Sequence, residues 1–176
     1  MNWKESEQEF LHVLSDVFQQ GGKLEESLEM QYKDIDAVDK RGITYSIKNQ
    51  PSSEKTGNFA YETKLEDSRT GDTMQGSFTK CEADYYVVFR EFKGVDWCFI
   101  TDTESLRELV AKDGYKEVTT RLSVEQSSNQ GRKFNRGHCR LVPVQDIYYD
   151  KSTMVFIKTP KKGWRLHNKP LKKKDK

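Results

Sequence analysis

The spacing of apolar side chains predicts a helix at the start of the chain. Between residues 3 and 18 the apolar positions recur at intervals of three and four residues, which is the period of one helix face, and a QQGG segment then ends the pattern. Glu7 falls on or beside this inward face, whereas Glu5 and Glu9 are expected to point elsewhere. A carboxylate beside an apolar face needs a specific partner or a role.

Short alternating runs after this helix predict a β-hairpin. Residues 28–38 and 43–50 alternate between apolar and polar positions and flank a DKRG turn, in which Gly42 suits the left-handed position. A three-residue loop that closes with a glycine bulge pairs Asp39 with Ile43. This pairing fixes the register of the whole hairpin.

This register brings together side chains that could take part in catalysis. It pairs Asp36 with Ser46, and it pairs Asp34 with Lys48. Because Ser46 and Lys48 are two residues apart on one strand, their side chains share a face with the two aspartates. Hydrolysis of a phosphodiester requires carboxylates for a metal ion and a cation near the attacking water, and the hairpin carries both.

The rest of the chain predicts further strands and a second helix. Hairpins are expected around the turns at residues 68–71 and 93–94, and a helix is expected over residues 103–112 with Thr103 as its N-cap. Residues 123–140 are polar and contain glycine, which favours a long exposed loop. An opening helix followed by strands and another helix predicts an α/β fold with a mixed β-sheet flanked by helices.

Length and composition favour one folded domain in an intracellular protein. The chain has 176 residues with 11% aromatic and 34% hydrophobic residues, which suits a single domain over residues 1–160 followed by a basic tail over residues 161–176. No apolar run approaches the roughly 20 residues of a membrane span, so no membrane association and a cytoplasmic location are expected. The cysteines are widely spaced, which favours reduced thiols over a disulfide framework or a zinc site.

The charges divide unevenly along the chain. The net charge is +2, but residues 161–176 contain eight Lys or Arg residues against one Asp, so the first 160 residues carry about −5. A cationic tail on an acidic body is typical of a nucleic-acid-binding protein whose pocket collects carboxylates. A tail that only keeps the protein soluble explains the composition equally well.

Motifs around the hairpin resemble those of the PD-(D/E)xK nuclease superfamily, in which an aspartate on one strand and E-x-K on the next form a metal site. Here the pattern is D-x9-S-x-K, followed by TGNFAYE at residues 56–62, Gly76 and ADYYVVF at residues 83–89. Ser46 departs from the family pattern, because a hydroxyl replaces the usual carboxylate. Some restriction endonucleases of the superfamily also have S-x-K and supply the carboxylate from a glutamate farther along, which Glu62 matches.

The resemblance implies roles for individual residues. Asp36 and Glu62 would bind Mg²⁺, for which Mn²⁺ is expected to substitute, and the Ile47 carbonyl would add a ligand. Lys48 would orient or polarise the attacking water, and Ser46 would contact a metal ligand or act through a water molecule. Glu7 either holds a metal-bound water or is only a charge at the edge of the apolar stripe.

Two assignments stay open among the neighbouring residues. Asp34 competes with Asp36 for the metal, and Asp36 is favoured because the register places it opposite Ser46. One polar and four basic residues are expected to contact DNA: Gln50, Arg132, Lys133, Arg136 and Arg140. The alternative is that the glutamine is an ordinary exposed strand residue and that the basic residues belong to a solvated loop without a ligand.

Taken together, the sequence and the resemblance predict a magnesium-dependent DNA endonuclease of a restriction-endonuclease-like fold. Restriction, homing, junction-resolving and phage enzymes all fit, acting in the cytoplasm of a bacterial or phage-infected cell as dimers or tetramers. A catalytically inactive nuclease fold that binds DNA or a host protein is the alternative that Ser46 motivates. A phage inhibitor of a host factor, acting through the acidic N-terminal half, is a third hypothesis.

Overall fold

The computed structural model of the chain describes residues 2–121 and 134–167, which form two β-sheets and their flanking helices. The helices are α1 (Trp3–Phe18), α2 (Leu28–Tyr32), α3 (Ser53–Thr56), α4 (Ser77–Lys80), α5 (Thr103–Val110) and α6 (Val144–Tyr149). The strands are β1 (Gly22–Leu24), β2 (Ala37–Asp39), β3 (Thr44–Asn49), β4 (Asn58–Glu66), β5 (Thr73–Gln75), β6 (Tyr85–Phe92), β7 (Val95–Asp102), β8 (Lys116–Arg121), β9 (Arg136–Pro143), β10 (Thr153–Thr159) and β11 (Gly163–Leu166).

The larger sheet is mixed and carries the candidate site at one end. Its seven strands run in the order β1-β2-β3-β6-β7-β10-β11. β3 and β6 are parallel, and the other neighbouring pairs are antiparallel. The smaller sheet is antiparallel, in the order β5-β4-β9-β8. The predicted mixed α/β class with a β-sheet flanked by helices is therefore confirmed.

The two faces of the larger sheet are buried against different layers. On one face, Phe10, Val13 and Leu14 of α1 pack against alternate residues of the central strands, including Val87 and Phe89. The other face packs against the smaller sheet and against α4, α5 and α6. Alternation along β3 consequently places Ile47 under α1 and turns Ser46 and Lys48 toward the opposite face.

The first helix and the turn end of the hairpin are confirmed, but the ladder ends at Ala37 and Tyr45, so the predicted pairings of Asp36 with Ser46 and of Asp34 with Lys48 are not part of it. The amide of Asp39 donates to the carbonyl of Ile43 at 2.9 Å, and Gly42 has φ +84°, which is the left-handed conformation that a side chain would strain. The first helix covers residues 3–18, and the hairpins predicted around residues 68–71 and 93–94 are present as β4–β5 and β6–β7.

Three local predictions were wrong because capping and long-range pairing outweighed the local pattern. Residues 28–32 form a helix, whose first turn is capped by Ser27, and not part of a strand. The N-cap of α5 is Asp102, which accepts from the Ser105 amide at 2.8 Å, and not Thr103. Residues 136–143 belong to a strand between β4 and β8, and not to the predicted long loop.

The region assigned to the basic tail begins with a structured segment. β11 pairs with β10 at the edge of the larger sheet, and Trp164 is buried against α1. Its indole N–H donates to Glu9 at 2.6 Å, so Glu9 points into the protein and the expectation that it points elsewhere was wrong. Burial alone would raise the pKa of Glu9, but hydrogen bonds from Lys158 and Trp164 lower it.

Within residues 2–121 and 134–167, no helix is long and apolar enough to cross a membrane.

Candidate functional site

The candidate site lies where the pairing between β2 and β3 ends. The ladder between β2 and β3 pairs Ala37 with Tyr45 and Val38 with Thr44, and it does not continue to Ile47. The Asp36 carboxylate fills this place, because its Oδ2 accepts a hydrogen bond from the Ile47 amide at 2.6 Å. The side chain of Asp36 is thereby fixed beside Lys48.

Asp34 reaches the same region from an unusual backbone conformation. Its φ is +56°, in the left-handed region, and it precedes β2, so the prediction that it shares a strand with Asp36 was wrong. The carboxylate accepts hydrogen bonds from Ser46 Oγ and Lys48 Nζ, both at 2.8 Å. Asp34, and not Asp36, is therefore the hydrogen-bond partner of Ser46.

Lys48 bridges the two aspartates. Its ammonium lies 2.8 Å from Asp34 Oδ1 and 3.3 Å from Asp36 Oδ2, and its side chain is 24% exposed. Burial acts to lower the pKa of Lys48, but the charges of Asp34 and Asp36 outweigh burial and hold the pKa above its usual value. Lys48 consequently stays protonated at neutral pH and can act as a cation or a donor, but not as a general base.

Ser46 supports this ion pair from the interior. It is fully buried, and its hydroxyl donates to Asp34. The Cys81 thiol also points at Asp34, with its sulfur 3.7 Å from the backbone oxygen. Because Ser46 has no exposure, we assign it the role of positioning Asp34 and not that of a nucleophile.

Glu7 faces this cluster from α1. With Asp36, Ile47 and Lys48 it lines an open groove of about 840 Å³ between α1, β1 and the end of β3. Burial and the charge of Asp36 raise the pKa of Glu7, and Lys48 opposes this shift. Glu7 accepts no hydrogen bond from the described residues, so its carboxylate is available to a ligand.

Two further acidic residues of the groove were missed by sequence reasoning. Glu25 and Glu26 follow the short strand β1 and also line the groove, where Glu25 pairs with Lys23 at 2.7 Å. A strand of three residues has no detectable alternation, so only the acidic pair itself signalled this wall.

Glu62 lies in the smaller sheet and has a different set of contacts. It projects from β4, and its carboxylate accepts a hydrogen bond from the Ser77 amide at the start of α4, at 3.1 Å. Gly76 precedes α4 and packs so closely that a Cβ there would lie 2.5 Å from the Glu62 carbonyl oxygen. Among the described residues, those that line the groove include Glu7 and Asp36 but not Glu62.

The residues expected to contact DNA are mostly engaged within the protein. The Gln50 amide makes two hydrogen bonds with the backbone of Ala60, at 2.7 and 2.9 Å. Arg140 donates to the Val110 carbonyl at 2.8 Å and lies 3.4 Å from Glu117, whereas Arg136 is half exposed near Glu66. Arg132 and Lys133 lie outside the described residues.

The donor chemistry of the groove suits Mg²⁺, although a metal cage is not preformed. Across residues 2–121 and 134–167, no three His, Cys, Asp or Glu side chains converge as the ligands of one ion would. Among the described residues, the hydrogen-bond partners of the Asp36 side chain contact Oδ2, so Oδ1 and the Glu7 carboxylate can supply hard oxygen ligands. Mg²⁺ is commonly held by one or two carboxylates together with water and substrate phosphate, so this set fits the ion.

Comparisons with protein-family models, with curated proteins and with solved structures found no match to this chain.

Proposed function

We propose that the groove hydrolyses phosphodiester bonds of DNA with the help of Mg²⁺. The observation that carries this proposal is the convergence of Glu7 and Asp36 beside the Lys48 ammonium in an open groove. Burial and the charge of Asp36 both raise the pKa of Glu7. Two carboxylates that repel each other across a groove favour the binding of a cation between them.

Each side chain has a role that follows from its contacts. Glu7 and Asp36 would hold the metal, with the Ile47 carbonyl as a further oxygen, and Asp34 would keep Lys48 in place. The metal, when bound, would neutralise charge on the phosphate and lower the pKa of an attacking water. Protonated Lys48 would donate to that water or to a phosphate oxygen, which orients the attack and leaves a 5′-phosphate.

The groove geometry favours Glu7 over Glu62 as the second metal ligand. We expect Glu7→Gln to reduce magnesium-dependent nicking of supercoiled plasmid by about a hundredfold or more, because one anionic ligand is lost. Glu62→Gln is expected to change the rate less than about threefold if its carboxylate only caps α4, and Glu104→Gln, at an exposed position, is the matched control. Loss of nicking in Glu62→Gln alone would instead assign the metal to Glu62.

The stability of the Glu7→Gln variant distinguishes a loss of function from a loss of folding. The pKa of Glu7 is higher in the folded protein than in the unfolded chain. Between these two pKa values the folded state binds more protons than the unfolded state, so the free energy of unfolding falls as the pH rises. At pH 7 Glu7→Gln is therefore expected to raise the free energy of unfolding by roughly a few tenths of a kcal/mol. The gain should vanish in acid, where Glu7 is protonated. A large loss of stability at pH 7 would contradict the proposed repulsion.

A second candidate function is a nuclease fold that binds DNA or a host protein without cleaving DNA. This function is favoured by the ion pairs that Lys48 forms with both aspartates and by the buried Ser46, because these groups balance the charge of the aspartates without a metal. A filter-binding assay in EDTA that shows DNA affinity, combined with plasmid that stays intact in Mg²⁺ and Mn²⁺, would support this function. Conversion of plasmid to linear product would instead indicate paired active sites, as in the expected dimer or tetramer.

A further inference from the structure

A second pocket, distinct from the acidic groove, has aromatic walls and a buried cation. It encloses about 340 Å³ between β6, β7 and α6, which is at the small end of the range for ligand pockets. One arginine and five aromatic side chains line it together with Val144 and Gln145: Arg90, Phe92, Trp97, Phe99, Tyr148 and Tyr149. Trp97 and Phe99 are stacked, with ring centroids 6.3 Å apart and planes inclined by 22°.

Two hydrogen-bond donors in this wall lack partners. Arg90 Nε and Trp97 Nε1 are buried, and neither donates to an atom of the described residues. An unsatisfied buried donor costs roughly 1–3 kcal/mol, so such groups are uncommon in native proteins. Buried indole N–H groups usually have an acceptor, as in Trp164, whose N–H donates to Glu9 at 2.6 Å.

The guanidinium of Arg90 is also a charge without an ion pair among the described residues. Arg90 is only 7% exposed, and its carbon Cζ lies 5.1 Å from the Phe92 ring and 6.0 Å from the Phe59 ring. Burial lowers the pKa of Arg90, and the charge of Glu54 only partly opposes this shift. Cation–π contacts offset part of the cost of burial but do not give the Nε–H of Arg90 a hydrogen-bond partner.

These features define the ligand that would satisfy them. It must be flat, to stack on aromatic walls, and it must present acceptor atoms, because the unpartnered groups are donors and none of the described residues that line the pocket carries a carboxylate. A nucleobase meets both conditions, and guanine presents the O6 and N7 pair that arginine binds in a bidentate manner. We infer that this pocket binds an unpaired nucleobase, with guanine preferred.

The pocket lies on the face of the larger sheet to which Lys48 also points. β3 and β6 are parallel with Lys48 opposite Val88, and Arg90 follows Val88 by two residues, so Lys48 and Arg90 extend from the same face of the sheet. Their backbones are separated by about 7 Å along the strands and about 5 Å across them. The inference rests on the proposed function for its substrate, which would be DNA with a single-stranded or displaced base near the cleaved bond.

Indole resonances in ¹H–¹⁵N spectra of the full chain test this inference directly. GMP is added to the wild-type protein in EDTA, and the Trp97 signal is assigned with Trp97→Phe. We expect the Trp97 signal to shift and saturate while that of Trp164 stays fixed. Arg90→Met, which keeps an apolar stem, should weaken GMP binding at least about tenfold, and CMP should bind more weakly than GMP.

Two results would overturn the inference. One is a Trp97 signal that does not move up to about 10 mM GMP, and the other is binding of benzoate as tight as that of GMP, which would show a general site for aromatic anions. Trp97→Phe keeps an aromatic ring in the wall but removes the indole N–H, so a weaker affinity of this variant for GMP in equilibrium dialysis preserves the test if Arg90→Met does not fold. Binding in EDTA is independent of cleavage: a protein that binds GMP but leaves plasmid intact refutes the proposed function alone. Cleavage without a Trp97 shift refutes this inference alone.

Discussion

Lys48→Ala is expected to lower the rate of magnesium-dependent DNA cleavage by about a hundredfold to a thousandfold. The ammonium lies within hydrogen-bond reach of both aspartates, and their charges keep it protonated, so the variant loses the cation that would contact the water and the phosphate. The rate is measured in a single turnover with excess protein on supercoiled plasmid, and circular dichroism verifies folding.

Lys48→Ala is also expected to lower the free energy of unfolding. Removing Lys48 leaves Asp34 and Asp36 without their shared counterion, which should cost about 1–3 kcal/mol at neutral pH, less than for a fully buried pair because the site is partly exposed. Lys48→Arg keeps the charge, so it should retain most of the stability but little of the activity, because the planar guanidinium is larger. Cleavage by Lys48→Ala at a rate close to that of wild type would remove Lys48 from the mechanism.

Ser46→Asp, which restores the carboxylate usual in the resembled superfamily, is expected to destabilise the protein by about 3–5 kcal/mol without increasing cleavage. Ser46 is fully buried, and its hydroxyl donates to Asp34 at 2.8 Å, so a carboxylate there would lose this bond and place a second negative charge against Asp34. Urea unfolding at pH 7 measures the change.

Ser46→Ala is the matched control for this prediction. It removes the hydroxyl without adding charge, and the loss of one hydrogen bond to Asp34 should cost about 1–3 kcal/mol. A Ser46→Asp protein as stable as wild type, with faster cleavage, would show that Ser46 marks a lost ligand and not a residue that positions Asp34.

The hairpin could be predicted from sequence because its determinants are local. A glycine at the left-handed turn position fixed the pairing of Asp39 with Ile43, and this pairing was enough to predict that Lys48 lies near the aspartates. Helical phase was sufficient to place Glu7 beside the apolar face. The partner of Ser46 was not predictable in the same way, because Asp34 leaves the strand in a left-handed conformation that the alternation does not indicate.

The remaining features depend on contacts between distant parts of the chain. Glu9 is held by Lys158 and Trp164, and Arg140 by Val110 and Glu117 across the smaller sheet. No local pattern encodes such partners. The aromatic pocket likewise joins β6 and β7 to α6, so its two free donors become apparent only in the folded protein.

A crystal structure of the wild-type protein soaked in Mn²⁺ would show whether Glu7 and Asp36 bind a metal ion, because anomalous scattering locates the ion. We expect a peak in contact with the carboxylates of Glu7 and Asp36, with the Lys48 ammonium displaced from Asp36 and still paired with Asp34. At saturating Mn²⁺, a structure with no peak in the groove and with Lys48 still bridging both aspartates would contradict a metal site at these two residues.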